Sequence, residues 1–251
     1  MKTVLITGCS SGFGLETARH FLAHDWQVVA TMRTPQVDLL PASPRLRVLP
    51  LDVTDAESIA ACVQAAGPID VLVNNAGIGV LTPLEATSAE AAREVFETNT
   101  LGTIAMTRAV LPQMRERGQG VVVNVTSTVT VRPLPLLSVY TASKAAVNAF
   151  TESLAVEVAP FGVRATLVLP GAAPSTQFGR NAAPRMQGAI PDAYAPMVQE
   201  AFDSLRAADR PITHATDVAE AVLRAATDPD CPRRLPAGTD AWEWATEAGI
   251  V

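Results

Sequence analysis

Cysteine and histidine are scarce, three of each in 251 residues. Cys9, Cys62 and Cys231 are odd in number and far apart, so they form neither a disulfide framework nor a zinc spacing. His20, His24 and His214 stand without clustered carboxylates or thiols, which argues against a metal site. No apolar run exceeds strand length, so nothing in the sequence spans a membrane. No block of Lys or Arg occurs and the formal net charge is −6, which argues against nucleic acid or an anionic membrane as partner. Met1 leads straight into Thr3-Val4-Leu5-Ile6-Thr7, without a basic leader, an apolar h-region or a cleavage site. A soluble, cytoplasmic protein is therefore expected.

What is present suits one large α/β domain over residues 1–251, with 48% apolar residues to build its core. Short runs rich in Val, Ile and Leu at 3–7, 26–32, 46–50, 69–73, 120–126 and 163–169, and a weaker one near 233–236, read as strands. Several are apolar on consecutive residues, as strands covered on both faces should be. Helical patterns fall between them at 13–24, 55–66, 88–116 (with a possible break), 138–158, 215–227 and 240–247. The alternation predicts a three-layer Rossmann-type architecture, a doubly wound parallel sheet whose ligands sit at the carboxyl ends of the strands. Residues 172–212 break the rhythm with five prolines and weak periodicity. A connection this long reads as a substrate loop or lid, or else as a loosely ordered insertion; a short helix near 192–206 is compatible with it.

The first strand runs into Thr7-Gly8-Cys9-Ser10-Ser11-Gly12-Phe13-Gly14 and then a helix. Glycines let backbone approach a ligand closely, and the helix N-terminus that follows favours pyrophosphate. The second strand ends Met32-Arg33, where NAD binders place an acidic residue about 20 residues on from the glycine turn. An Asp would repel a 2′-phosphate; the Arg33 fork attracts it, and Ser11 can add a hydroxyl. The cofactor expected is NADP(H). Asp52-Val53 follows the third strand, and the Asp52 carboxylate can accept from the adenine amino group or cap the next helix, for which Thr54 is the better-placed cap. Asn74-Asn75-Ala76-Gly77 closes the fourth strand, placed to tie strands together and to line the adenosine ribose.

Tyr140 and Lys144 lie i and i+4 on a helix, on one face. A phenol with an ordinary pKa of about 10 is a poor base, and a nearby ammonium favours its ionised form. Such a pair can move a proton at an alcohol or carbonyl oxygen. Alone it reads as an amphipathic surface pair. Ser127, at the end of the fifth strand, can donate to a substrate oxygen. Asn99 interrupts a helical stretch, where it can bend the helix or hold water near Lys144.

Together Thr7-Gly8-x-x-x-Gly12-x-Gly14, Asn74-Asn75-Ala76-Gly77, Asn99, Ser127, Tyr140-x-x-x-Lys144 and Pro170-Gly171 resemble the short-chain dehydrogenase/reductase family, in its compact single-domain branch, over residues 3 to about 171. The resemblance implies a sheet of seven strands and an Asn99–Ser127–Tyr140–Lys144 active site. Tyr140 would transfer the proton, Ser127 steady the substrate oxygen, Lys144 hold the nicotinamide ribose, and Asn99 position a water in a proton relay. Tyr140 and Lys144 would thus also touch the cofactor, with Pro170 and Gly171 near its nicotinamide end. The family usually places a Thr after that Pro-Gly; here spacing points to Ser175 and residue type to Thr176, and both stand as candidates. Dimers or tetramers are common among such proteins, built on the helices at 100–116 and 138–158, so a homo-oligomer is expected, with Trp242 and Trp244 at a contact. Leu134, Leu136 and Leu137 near Tyr140 are either core or the wall of an apolar substrate site. The reaction expected is NADP(H)-dependent interconversion of a ketone or aldehyde with its alcohol. The alternatives are a non-catalytic NADP-binding regulatory protein and an NAD-dependent sugar-nucleotide epimerase or dehydratase.

Overall fold

Consecutive buried residues, a threonine and then three apolar ones, suit a strand covered on both faces. This is how β1 (Thr3–Ile6) stands in the computed structural model, which describes residues 1–186, 188–206 and 211–250. After it come α1 (Gly12–Ala23), β2 (Gln27–Met32), β3 (Leu46–Pro50), α2 (Ala56–Ala66) and β4 (Val71–Asn74). The second half contains α3 (Ala89–Phe96), α4 (Gly102–Arg117), β5 (Gly120–Val125), α5 (Ser138–Val158), β6 (Val163–Pro170), α6 (Phe178–Ala182), α7 (Ala195–Arg206), α8 (Ala215–Thr227), β7 (Arg234–Ala237) and α9 (Thr239–Glu247). The seven strands form one parallel sheet in the order β3-β2-β1-β4-β5-β6-β7. The chain winds outward from β1 to β3, then returns to lay β4 against the other side of β1. That reversal opens a crevice beyond the carboxyl ends of β1 and β4, the place where ligands of open parallel sheets bind.

Two apolar layers sandwich the sheet. On one face Phe21 of α1 and Val218, Val222 and Ala225 of α8 pack against Val4, Ile6, Val28 and Val123. On the other, Ile59, Met106, Val110, Met114, Leu154 and Val158 from α2, α4 and α5 cover Leu5, Val29, Leu72 and Val122. No helix among the described residues is long and apolar enough to cross a membrane.

Three local features depart from the sequence reading or refine it. The stretch at 88–116 is two helices joined by a π turn, Glu97–Leu101. Its cause is Asn99, whose amide is turned inward to bond the backbone of Ile78 instead of solvent. The cap of α2 is Asp55, which accepts from Glu57 N and Ser58 N, and not Thr54; Thr54 donates to the Asp52 carboxylate instead. The 172–212 segment is structured over its described part, carrying α6, α7 and short 3-10 turns at Ala183–Arg185 and Asp192–Tyr194, while 187 and 207–210 lie outside the described residues. It is tied down by the Arg185–Glu94 ion pair and by Tyr194, which donates to Glu85 Oε1 at 2.7 Å.

Candidate active site

The crevice begins at the glycine turn. Thr7, the residue after β1, accepts on its hydroxyl from Asn75 N and Ala76 N, both at 2.9 Å. The Asn75 amide donates to Thr7 O and Gly8 O. Asn74, one residue earlier, donates to Asn124 Oδ1 and Thr107 Oγ1, and Asn124 donates to Thr151. Strands β4 and β5 are thus pinned to each other and to α4 and α5. Gly14 sets how closely α1 seats on the turn: a Cβ there would stand 2.4 Å from Gly8 O, so any side chain would push the helix away. Ser11 occupies the N-cap of α1 without making a capping bond. Its hydroxyl and the first N–H groups of the helix are therefore left for an anion at the positive end of the dipole.

From this turn a cleft of about 590 Å³ runs along the strand ends. Gly8, Ser10, Ser11, Gly12 and Phe13 line one stretch; Arg33, Asp52 and Val53 line another, and Asn75, Ala76 and Gly77 a third. Tyr140 and Lys144 close its far end, with Thr176 nearby. Arg33 is exposed and makes no ion pair among the described residues. The backbone and hydroxyl of Thr54, both donating to Asp52, hold that carboxyl below its usual range, and Arg33 adds to the effect. Of the two residues the sequence left open, Thr176 lines the cleft and Ser175 is exposed outside it. Gly14, Asn99, Ser127, Pro170 and Gly171 do not line the cleft.

At the far end the chemistry gathers. Tyr140, Ser127, Lys144 and Asn99 are all buried. The Asn99 amide accepts from Ile78 N at 2.8 Å and donates to Ile78 O at 2.9 Å and Ser143 Oγ at 3.0 Å. It clamps the end of the Asn75–Ile78 segment to α5; both N–H donors of its side chain are used, and its Oδ1 keeps one lone pair. Lys144 Nζ donates to Val125 O at 3.0 Å and lies 6.0 Å from the Tyr140 ring centre. Burial brings the Lys144 ammonium down to about 8. Burial also pushes the Tyr140 phenol above its ordinary value, against a smaller opposing pull from the Ser127 hydroxyl. The direction is opposite to the sequence expectation that Lys144 lowers the phenol: burial dominates, and the opposing pull comes from the Ser127 hydroxyl.

Two further residues belong to this end and carried no signal in the spacing. Phe178 of α6 packs edge-on against Tyr140 with ring centres 5.1 Å apart. Its tip fills the place a side chain at Gly79 would take, since a Cβ there would meet the ring at 2.3 Å. Thr126 lines the cleft floor, yet its buried hydroxyl has no hydrogen-bond partner. An orphaned hydroxyl at that depth, an open helix N-terminus and a free guanidinium are the features a phosphorylated dinucleotide would satisfy. The residues present fit such a cofactor.

Comparison with known proteins agrees with this geometry. The family model for "short chain dehydrogenase" matches residues 2–187. Retinol dehydrogenase 8 of Bos taurus is 45% identical over 185 residues, which are 68% of this chain and 58% of that protein. The 17-beta-hydroxysteroid dehydrogenase type 1 of Homo sapiens is 43% identical over 180 residues, 66% of this chain and 55% of that one. The chain thus matches little more than half the length of these relatives. Among solved structures, a short-chain dehydrogenase from Streptomyces avermitilis has a TM-score of 0.82 at 36% identity, covering 98% of this chain and 91% of the other. A serine dehydrogenase complexed with NADP+ has a TM-score of 0.81 at 30% identity, over 95% of each chain. A short chain dehydrogenase/reductase from Burkholderia phymatum in complex with NAD has a TM-score of 0.78 at 25% identity, over 94% of this chain and 88% of the other.

Proposed function

This chain belongs to the short-chain dehydrogenase family, and from that premise we propose that it is an NADP(H)-dependent oxidoreductase interconverting an apolar ketone or aldehyde and its alcohol. One observation carries the reading: Tyr140 and Lys144, both buried, close one end of a cleft whose other parts suit a dinucleotide, with the buried Ser127 hydroxyl beside the Tyr140 phenol. The cofactor, when bound, supplies the hydride that adds to the carbonyl carbon. Ser10, Ser11 and the N-terminus of α1 hold the pyrophosphate, Arg33 the 2′-phosphate, Asp52 and Val53 the adenine, and Asn75 to Gly77 the adenosine ribose. Lys144 holds the nicotinamide ribose, and Thr176 approaches the nicotinamide. Ser127 donates to the substrate oxygen, and Tyr140 gives it the proton. A phenol pushed up by burial is neutral, which is the form that can donate in the reductive direction. Arg33 supports NADP(H) over NAD(H), because its exposed fork stands where an acidic residue would favour a free ribose.

An apolar substrate is supported by Phe178 against Tyr140 and Val129 beside Ser127, and by the names of the relatives, which refer to retinol, hydroxysteroids and ketodihydrosphingosine. The 251 residues act as one domain, residues 172–212 as its substrate segment. It assembles as a homodimer or homotetramer through α4 and α5, a reading supported by exposed Leu101, Val156 and Phe161 beside and on those helices. The test of the activity is a panel of apolar ketones and secondary alcohols assayed with NADPH, NADH and their oxidised forms. Tyr140→Phe is expected to abolish turnover while dinucleotide affinity stays within about twofold, since the lost hydroxyl acts on the reacting oxygen. Retained turnover would overturn the role of Tyr140.

A further inference from the structure

Asp240, at the start of α9, is a buried carboxyl far along the chain from the residues of the cleft, only 2% exposed. Its Oδ2 accepts from Ala172 N at 2.7 Å and its Oδ1 from Thr213 Oγ1 at 2.7 Å. Thr213 is wholly buried; its hydroxyl also accepts from Gly171 N at 2.9 Å and lies 2.9 Å from Ala237 O. Thr213 N donates to Ala172 O at 2.9 Å. The carboxylate reaches this position because residue 171 is glycine, where a Cβ would lie 2.2 Å from Asp240 Oδ2.

The hydrogen bonds that tie residues 171–176 to the rest of the described chain all end on Thr213 or Asp240; the others recorded there are local, to Ala173 and Phe178. A buried carboxyl is costly unless it is hydrogen-bonded, and backbone alone could have closed an ordinary turn. Here both oxygens of Asp240 are used to aim a short stretch of chain. That stretch carries Thr176 to the cleft, where it lies against the glycine turn: a Cβ at Gly12 would be 3.6 Å from Thr176 Cβ.

We infer that Asp240 and Thr213 are positioning residues: they set the exit of β6 so that Thr176 meets the nicotinamide half of the cofactor. This rests on the dinucleotide reading above. Its test is a pair of affinities measured by titration calorimetry. One is for the full oxidised dinucleotide, NADP+ or NAD+, whichever the parent protein binds more tightly. The other is for the matching adenosine half, adenosine 2′,5′-bisphosphate or ADP. Asp240→Asn puts an amide where two donors need an acceptor, and Thr213→Val removes the shared hydroxyl. Each is expected to weaken the full dinucleotide about tenfold, the scale of a lost hydrogen bond to a charged group, and to leave the half-cofactor within about twofold. Thr213→Ser, which keeps the hydroxyl, is expected to behave as the parent does. If Asp240→Asn fails to fold, the Thr213 pair decides. Equal losses for whole and half, or a Thr213→Val protein that binds like Thr213→Ser, would overturn the inference alone. A parent that binds neither dinucleotide would overturn the functional reading, and this inference with it.

Discussion

Arg33 is a single exposed side chain on which the proposed preference for NADP(H) rests. It shares its stretch of cleft with the ionised Asp52, and no carboxylate pairs with it among the described residues. Arg33→Asp removes the partner of a 2′-phosphate and adds a repelling charge, so NADPH affinity should fall by about tenfold or more while NADH affinity rises. Fluorescence titration with both reduced cofactors checks this; unchanged ratios would remove Arg33 from the site. Phe178 acts on a proton in place of a phosphate. The chain has two tyrosines, Tyr140 and Tyr194, and the hydrogen bond to the Glu85 carboxylate raises Tyr194 as well. In a Tyr194→Phe background, ultraviolet titration reads Tyr140 alone. Its midpoint should stand above the ordinary phenol value of about 10. Adding Phe178→Ala admits water to the ring, so the charged form is better solvated and the midpoint should move down. An unmoved midpoint would show that the burial of Tyr140 comes from elsewhere. Tyr140, Lys144, Ser127 and the glycine turn were readable because each has a fixed spacing from a strand end or helix start. Phe178 was not, because its contact with Tyr140 is made across chain that no periodicity orders.

At the scale of elements, helix starts show where sequence reasoning falls short. Asp52, Thr54 and Asp55 all precede α2, and all three are residue types that cap helices. Only the backbone decides among them: Asp55 has the extended N-cap conformation and accepts from the first turn, while Asp52 and Thr54 bond each other. Asp55→Ala should therefore cost about 1 kcal/mol of stability, the usual value of a lost cap, without changing dinucleotide affinity. Urea denaturation with a parallel binding titration measures both. The π turn at Glu97–Leu101 was signalled only as a possible break, since a lone Asn in a helix has several ordinary explanations. Its cause is a backbone partner, Ile78, which only the packing of α4 against the end of β4 supplies. The short α6 lay hidden for a similar reason, in a proline-rich segment whose order comes from contacts such as Arg185–Glu94 and Tyr194–Glu85, whereas α7 falls where the sequence allowed a helix near 192–206.

For the molecule as a whole, Leu101, Val156 and Phe161 leave apolar surface on and beside α4 and α5 exposed, Val156 by 68%. If the protein assembles through this face, Val156→Glu puts a charge into the contact and should shift the sedimenting species to the monomer, with the circular dichroism of the fold unchanged. A parent that sediments as a monomer would refute the assembly. The apolar runs, their alternation with helical patterns and the spaced glycines, Ser127, Tyr140 and Lys144 by themselves determined the parallel three-layer fold and the class of site, because each depends on residues near in sequence or on a fixed spacing. The tertiary structure alone decided the strand order, the placing of Thr176 and not Ser175 on the cleft, the burial of Tyr140 against Phe178 and the Asp240–Thr213 grip on Ala172. Those depend on desolvation and on contacts between residues tens of positions apart, quantities that exist only once the chain is folded.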